Sequence, residues 1–236
     1  MVISLLANAL LLTLGVYVGC FKTTFVTRQL QNWGLQEKDE TLIADFWCIR
    51  GWTNTLVKLN LEVDAVFFGN SITSGCNFEK DFPELAICNL GYPGDYISGM
   101  LRRVDQIKAV HPKNVFVMAG INGLCSMSEH EFANKYSLLV DSIKKVVPDA
   151  NLYLQSMLPV NPTMSAGKQY MGKTEKIRIG NETIQMIARK KGCVYIDLFS
   201  LYAKDGIMPP ELTRDGVHLY PDSYDRWADE IRKYLE

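Results

Sequence analysis

Five short apolar runs, each followed by a stretch with helical character, constrain this chain more than any other feature. The runs are Val63–Phe68, Glu84–Asn89, Asn114–Ala119, Asn151–Met157 and Val194–Leu198. Ala65–Phe68 and Val115–Ala119 carry no polar residue at all, which suits strands covered on both faces. Tyr96–Val110 brings Ile97, Met100, Leu101, Val104 and Ile107 to one helical stripe. Ser128–Val147 opens on a capping serine with Glu129 and Glu131 in its first turn. Lys173–Lys191 is a further helix stopped by Gly192, and Asp222–Leu235 is the last, with Tyr224, Trp227, Ile231 and Leu235 as its apolar set. Thr41–Val57, with Phe46, Trp47 and Trp52, reads as a helix laid against the domain. Strand–helix alternation of this kind predicts a parallel five-stranded sheet with helices on both faces, an α/β/α sandwich.

In such a sheet every strand-to-helix turn lies on one edge, where ligands bind. Three of the turns are polar and contain glycine: Gly69–Ser71, Gly91–Asp95 and Gly120–Gly123. A fourth polar element, Asp215–His218, precedes the last helix. The residue types complement one another. Ser71 offers a hydroxyl, which needs a base within hydrogen-bond reach to act as a nucleophile. Taken alone, Asn70–Ser71 reads more plainly as a helix cap, and the two roles are compatible. His218 supplies an imidazole base. Asp215, three residues earlier, can reach its Nδ1–H and hold the useful tautomer. Asn122 brings a side-chain amide and Gly94 an unobstructed backbone N–H; with the Ser71 N–H they make a three-donor oxyanion hole.

These blocks, Gly69-Asn70-Ser71-Ile72, Gly91-x-x-Gly94-Asp95, Gly120-x-Asn122 and Asp215-x-x-His218, resemble the four sequence blocks of the SGNH (GDSL-type) esterases and acylhydrolases, in the same order. The resemblance covers Asp64 to the C-terminus. It implies a flavodoxin-like three-layer sandwich, Ser71 as nucleophile, His218 and Asp215 as its partners, and Ser71, Gly94 and Asn122 as oxyanion donors. It also implies a serine esterase acting on short acyl, above all acetyl, esters of carbohydrates. A lipid-type acylhydrolase, an acyltransferase on the same triad and a non-catalytic carbohydrate-binding relative are the alternatives. Two positions depart from the family: Asn70 and Gly123 stand where it usually has Asp. No metal or cofactor is implied, and the expected partner is a small acyl-ester substrate.

The remaining candidates have plainer roles. His111 and His130 read as surface residues, and Asp95 as the tie of its own loop. Cys76 and Cys125 follow the Ser71 and Asn122 blocks, but neither has a neighbouring base or cation that would activate a thiol. Cys88 and Cys193 fit small buried residues. None of the six cysteines forms a Cys-x-x-Cys pair, which disfavours a zinc site. Tyr92, Met127, Leu158 and Tyr220 serve either the substrate pocket or the core. The net charge of −1 without a basic block gives nucleic-acid binding no electrostatic support.

The chain divides into residues 1–36, an apolar segment with its connector, and 37–236, the hydrolase domain. Val2–Phe21 has the roughly 20 apolar residues that span a bilayer as a helix. It reads as an uncleaved signal anchor, a cleaved signal peptide, a lipoprotein signal at Gly19-Cys20, or an apolar helix packed on the domain. No Lys or Arg precedes the run, and Tyr17 is a poor neighbour for a lipidated cysteine, so the uncleaved anchor is favoured. Lys22 and Arg28 argue for a cytoplasmic C-terminal side. Family resemblance argues for export, which is the expectation carried forward, together with membrane association through this segment.

Overall fold

The computed structural model describes residues 46–235, with side chains described from residue 53 onward. The apolar N-terminal segment, its connector and the aromatic side chains of Phe46, Trp47 and Trp52 lie outside the described part. All described residues fall in one compact unit, Ile43–Glu236. Among them no helix is long and apolar enough to cross a membrane.

The strands are β1 (Ala65–Gly69), β2 (Ile87–Gly91), β3 (Asn114–Met118), β4 (Asn151–Gln155) and β5 (Val194–Ile196). They form one sheet in the order β2-β1-β3-β4-β5, with every pair parallel. This is the flavodoxin-like order of a three-layer α/β/α sandwich. All five residues of β1 are buried, as a central strand covered by helices on both faces requires. The order reverses at β1, and the crevice beyond the carboxyl ends of β1 and β3 is the topological switch point.

One face of the sheet carries an aromatic ladder. Phe67, Phe116 and Tyr153 are register partners on β1, β3 and β4. Phe67 stacks between Phe78 (ring centroids 3.5 Å apart) and Phe116 (4.9 Å), and Phe116 stacks on Tyr153 (4.5 Å). Trp227, from the last helix, meets the edge of Phe78. Such pairs contribute beyond their buried area. Phe67→Ala is expected to destabilise the domain by about 3–5 kcal/mol, seen as a lower urea midpoint at unchanged slope. An unmoved midpoint would deny the ladder its role.

The sequence-based boundaries hold for Glu129–Val146, where Ser128 Oγ accepts from Glu131 N, and for Thr174–Lys191, closed by Gly192. Others shift. The stripe from Tyr96 to Val110 is two helices, Ile97–Arg102 and Asp105–Lys108, broken at Arg103, whose side chain turns inward to the ends of β1 and β2. β2 begins at Ile87, later than the apolar run. β5 is only three residues long, because Asp197 caps the Leu198–Tyr202 helix. The last helix starts as a 3₁₀ turn, Pro221–Tyr224, before the α-helix Asp225–Arg232. Cys88 and Cys193 are half-buried rather than buried.

Candidate active site

β1 delivers Ser71 to the switch point through a tight turn. Asn70 caps the four-residue helix Ser71–Ser74, its Oδ1 accepting from Ile72 N at 3.0 Å. The capping role therefore falls to Asn70, and the Ser71 hydroxyl is left for another partner. As the first helical residue, Ser71 also has an N–H without an intrahelical acceptor. Asn70 is buried, and among the described residues its Nδ2 has no hydrogen-bond partner. The aspartate usual in the family would place a carboxylate oxygen there. Gly91, at the end of β2, lets this helix pack against the sheet: a Cβ would lie 2.2 Å from Ser74 N. Tyr224 Oη donates to Ile72 O at 2.8 Å, tying the helix to the C-terminal region.

Ser71 Oγ lies 2.9 Å from His218 Nε2, across 147 residues of sequence. His218 Nδ1 lies 2.7 Å from Asp215 Oδ2. The other carboxylate oxygen of Asp215 accepts the backbone N–H of Val217 (3.0 Å) and of His218 (2.8 Å), so the carboxylate is fixed before it meets the ring. Partial burial works against ionisation of Asp215. The bonds from the His218 N–H, the imidazole and the Val217 N–H outweigh it and hold the carboxyl below the usual aspartate range. His218 and Asp215 side chains are 27% and 22% exposed, so the imidazole is open to a substrate and still held.

The turn carrying these two residues is built by groups that sequence spacing did not pick out. Thr213, fully buried, donates through Oγ1 to His218 O (2.7 Å) and accepts from Gly216 N (2.9 Å). The segment after β4 braces the turn from outside. Asn161 N donates to Gly216 O at 2.8 Å, and Ala166 N and Gly167 N both donate to Asp215 O. Asn161 itself is buried, its Oδ1 accepting from Thr163 N and its Nδ2 donating to Met208 O. The Asn-Pro-Thr turn chemistry at 161–163 was the available signal.

The donor positions sit at the ends of β2 and β3. Gly94 has φ +76, a conformation that disfavours any side chain. Asn122 lies in the short Ile121–Leu124 helix, and its Nδ2 donates to Asp95 O at 2.8 Å, leaving one amide hydrogen uncommitted by that bond. The aspartate usual at position 123 is absent, and the turn is held instead by Gly123 N to Gly120 O, Ser126 Oγ to Gly123 O and Tyr170 Oη to Ile121 O. Asp95 pairs with buried Arg103, Nε to Oδ2 at 2.7 Å. Burial pushes the Asp95 carboxyl up and the Arg103 guanidinium down, and their mutual contact opposes both shifts.

The other candidates fall away from the site chemistry. His111 and His130 are exposed. Cys76 is buried, and desolvation pushes its thiol well above the ordinary range, the reverse of an activated nucleophile. Met127 and Leu158 are core residues, Tyr92 is half-buried and Tyr220 is exposed.

Fold and site together define a three-layer α/β/α protein with a serine, an imidazole and a carboxylate joined at the switch point. The model of the GDSL-like lipase/acylhydrolase family matches residues 67–226, roughly two thirds of the chain, and the chain belongs to that family. It is a carboxylic ester hydrolase of the SGNH/GDSL type. Among solved structures it is similar to a Streptococcus pneumonia protein provisionally named a platelet activating factor, at 23% identity and TM-score 0.73, covering 91% of this chain and 100% of that one. It is also similar to a GDSL-like lipase from Bacteroides thetaiotaomicron (20% identity, TM-score 0.69, 81% and 98% covered). A variant of an acetyl-xylooligosaccharide esterase from Geobacillus Stearmophilus matches at 17% identity and TM-score 0.58, with 75% and 96% covered. At these identities the likeness concerns the fold. No curated protein matched.

Proposed function

We propose that this protein hydrolyses short-chain acyl esters, acetyl esters of carbohydrates foremost, through an acyl-enzyme on Ser71. The observation that carries this reading is the hydrogen-bonded chain from Ser71 Oγ to His218 Nε2 (2.9 Å) and from His218 Nδ1 to Asp215 (2.7 Å). Ser71 Oγ attacks the ester carbonyl as His218 Nε2 takes its proton. The carbonyl π pair moves to oxygen, which lies against Ser71 N–H, Gly94 N–H and the free amide hydrogen of Asn122. The intermediate collapses, the C–O bond to the alcohol breaks, and His218 returns the proton to the leaving oxygen. Water then repeats the sequence on the acyl-enzyme, with His218 again as base, and releases the acid and the free Ser71 hydroxyl. Asp215 holds the imidazole in the tautomer that leaves Nε2 free to accept.

The short acyl preference rests on the family resemblance and on the activity named for the Geobacillus relative. A second reading, a lipid-type acylhydrolase, is favoured by the apolar Val2–Phe21 segment, which we take as an uncleaved anchor placing the domain beside a membrane. One experiment separates the two: p-nitrophenyl esters of increasing acyl length, assayed on the full chain in mild detergent. The first reading expects kcat/KM to be highest at acetyl to butyryl and to fall at least about tenfold by octanoyl, since each added methylene that a small pocket rejects changes discrimination by about 10-fold or more. A rate that rises with length favours the lipid reading.

A further inference from the structure

We propose that Arg103 is a positioning residue that sets the geometry of the oxyanion pocket; the inference rests on the esterase reading above and deepens it. The Arg103 side chain is 2% exposed and its donors are spent on the site's own framework. Nε donates to Asp95 Oδ2 at 2.7 Å, Nη1 to Leu90 O at 2.7 Å and Nη2 to Gly69 O at 2.8 Å. Nη1 also reaches Gln106 Oε1 at 3.4 Å, and the guanidinium lies 4.2 Å from the Phe68 ring centroid.

Three of these acceptors belong to the segments that carry the oxyanion donors Ser71 and Gly94. Gly69 ends β1 two residues before Ser71. Leu90 lies in β2, one residue before the strand ends at Gly91 and the loop that bears Gly94 begins. Asp95 follows Gly94, and it binds Arg103 through its carboxylate while its backbone carbonyl accepts from Asn122 Nδ2 at 2.8 Å. One planar group thus joins the turns that bear Ser71 and Gly94 directly, and reaches the Asn122 turn through Asp95. Gly99 leaves the space that the Asp95 carboxylate occupies, since a Cβ there would lie 1.9 Å from its Oδ1. A buried ion pair is weak evidence for stability, because apolar replacements of similar volume are often as stable. What the guanidinium supplies and an apolar side chain cannot is a rigid fork that meets three acceptors in fixed directions. Lysine keeps the charge and lacks the fork.

The test is Arg103→Lys in the full chain, assayed on p-nitrophenyl acetate and with a trifluoromethyl ketone. The ketone adds Ser71 Oγ to its carbonyl carbon, gives the proton to His218 and leaves an oxyanion in the pocket. The expected result is a kcat about 10²-fold lower, the loss that follows a misplacement of about 1 Å. KM should stay within about twofold, and the ketone inhibition constant should rise by a factor similar to the kcat loss. Asn122→Ala should show the same pattern, and the double variant should lose less than the product of the single losses, because both act through one contact. Val140→Ala, a core change in the Glu129–Val146 helix, controls for lost stability and should keep kcat. A folded Arg103→Lys with parental kcat and ketone affinity overturns the proposal, as does multiplicative loss in the double variant or an equal kcat loss in Val140→Ala. If Arg103→Lys does not fold, Asp95→Asn breaks the same link from the other side and is read by the same criteria. If the parent cleaves no ester, the esterase reading fails on its own. Arg103 is then judged by the crystal structure of the variant, where an unmoved Asn122–Asp95 bond would refute it.

Discussion

Ser71→Ala is expected to lower kcat for ester hydrolysis by about 10⁵–10⁶-fold, the size of effect seen when a triad nucleophile is removed. The protein should otherwise change little. The helix that starts at Ser71 is capped by Asn70 Oδ1, not by the serine hydroxyl, so the turn keeps its shape. The lost Oγ–Nε2 hydrogen bond changes stability by only about 0.5–1.5 kcal/mol. KM should remain near the parental value, since the hydroxyl gains its advantage in the transition state rather than in the bound ester. Some rate above water should survive, because the oxyanion donors still stabilise direct attack by water. Stopped assays at high enzyme concentration, with the melting temperature measured on the same sample, decide the matter. A folded variant that retains a tenth of the parental kcat removes Ser71 from the role of nucleophile.

The second large effect is expected at Asp215. Asp215→Asn should lower kcat by about 10⁴-fold, as loss of the orienting carboxylate does in triads. The contacts explain why an isosteric change has so large an effect. The amide oxygen can still accept from Val217 N and His218 N, so the turn is kept. Its –NH₂ group then faces His218 Nδ1, which must become an acceptor, and the ring proton moves to Nε2. The ring can no longer take a proton from Ser71. A pH signature accompanies the loss. Folding lowers the Asp215 pKa, so the carboxylate adds stability that is fully present above its unfolded value of about 3.9 and is lost as pH falls through the lower folded one. The stability gap between parent and Asp215→Asn, measured by urea unfolding, should therefore be widest near neutrality and close in acid. A gap that is the same at pH 7 and at pH 3 would place the effect elsewhere.

The Arg103 side chain shows where sequence reasoning stops. Arg102 and Arg103 are adjacent and alike in type, and both lie outside the apolar set Ile97, Met100, Leu101, Val104 and Ile107, yet one is exposed and the other buried. Periodicity gave no reason to separate them, nor to break the helix there. The decision comes from carbonyls at the ends of β1 and β2, brought within reach by strand pairing between segments some twenty residues apart. Thr213 and Asn161 are similar cases: ordinary polar residues in loops until the backbone of His218 or Gly216 arrives as a partner. The Tyr96–Val110 segment and the ends of β2 and β5 differ from the sequence expectation for a related reason, since hydrophobic runs report burial and not where a strand finds its hydrogen-bond partner.

What could be read from the chain alone is what local chemistry records. Apolar runs and helical spacing specify the alternation, the alternation specifies a parallel sheet, and glycine-bearing polar turns mark its carboxyl edge. Ser71, Gly94, Asn122, Asp215 and His218 stand out because each lies in a short motif whose residue types complement the others. Distances across the fold are another matter. Ser71 and His218 are 147 residues apart, and their 2.9 Å contact depends on the β2-β1-β3 switch point and on the Thr213 and Asn161 bonds that shape the histidine turn. Long-range hydrogen bonds leave no period in a sequence, and the packing of the whole domain chooses which buried polar groups meet.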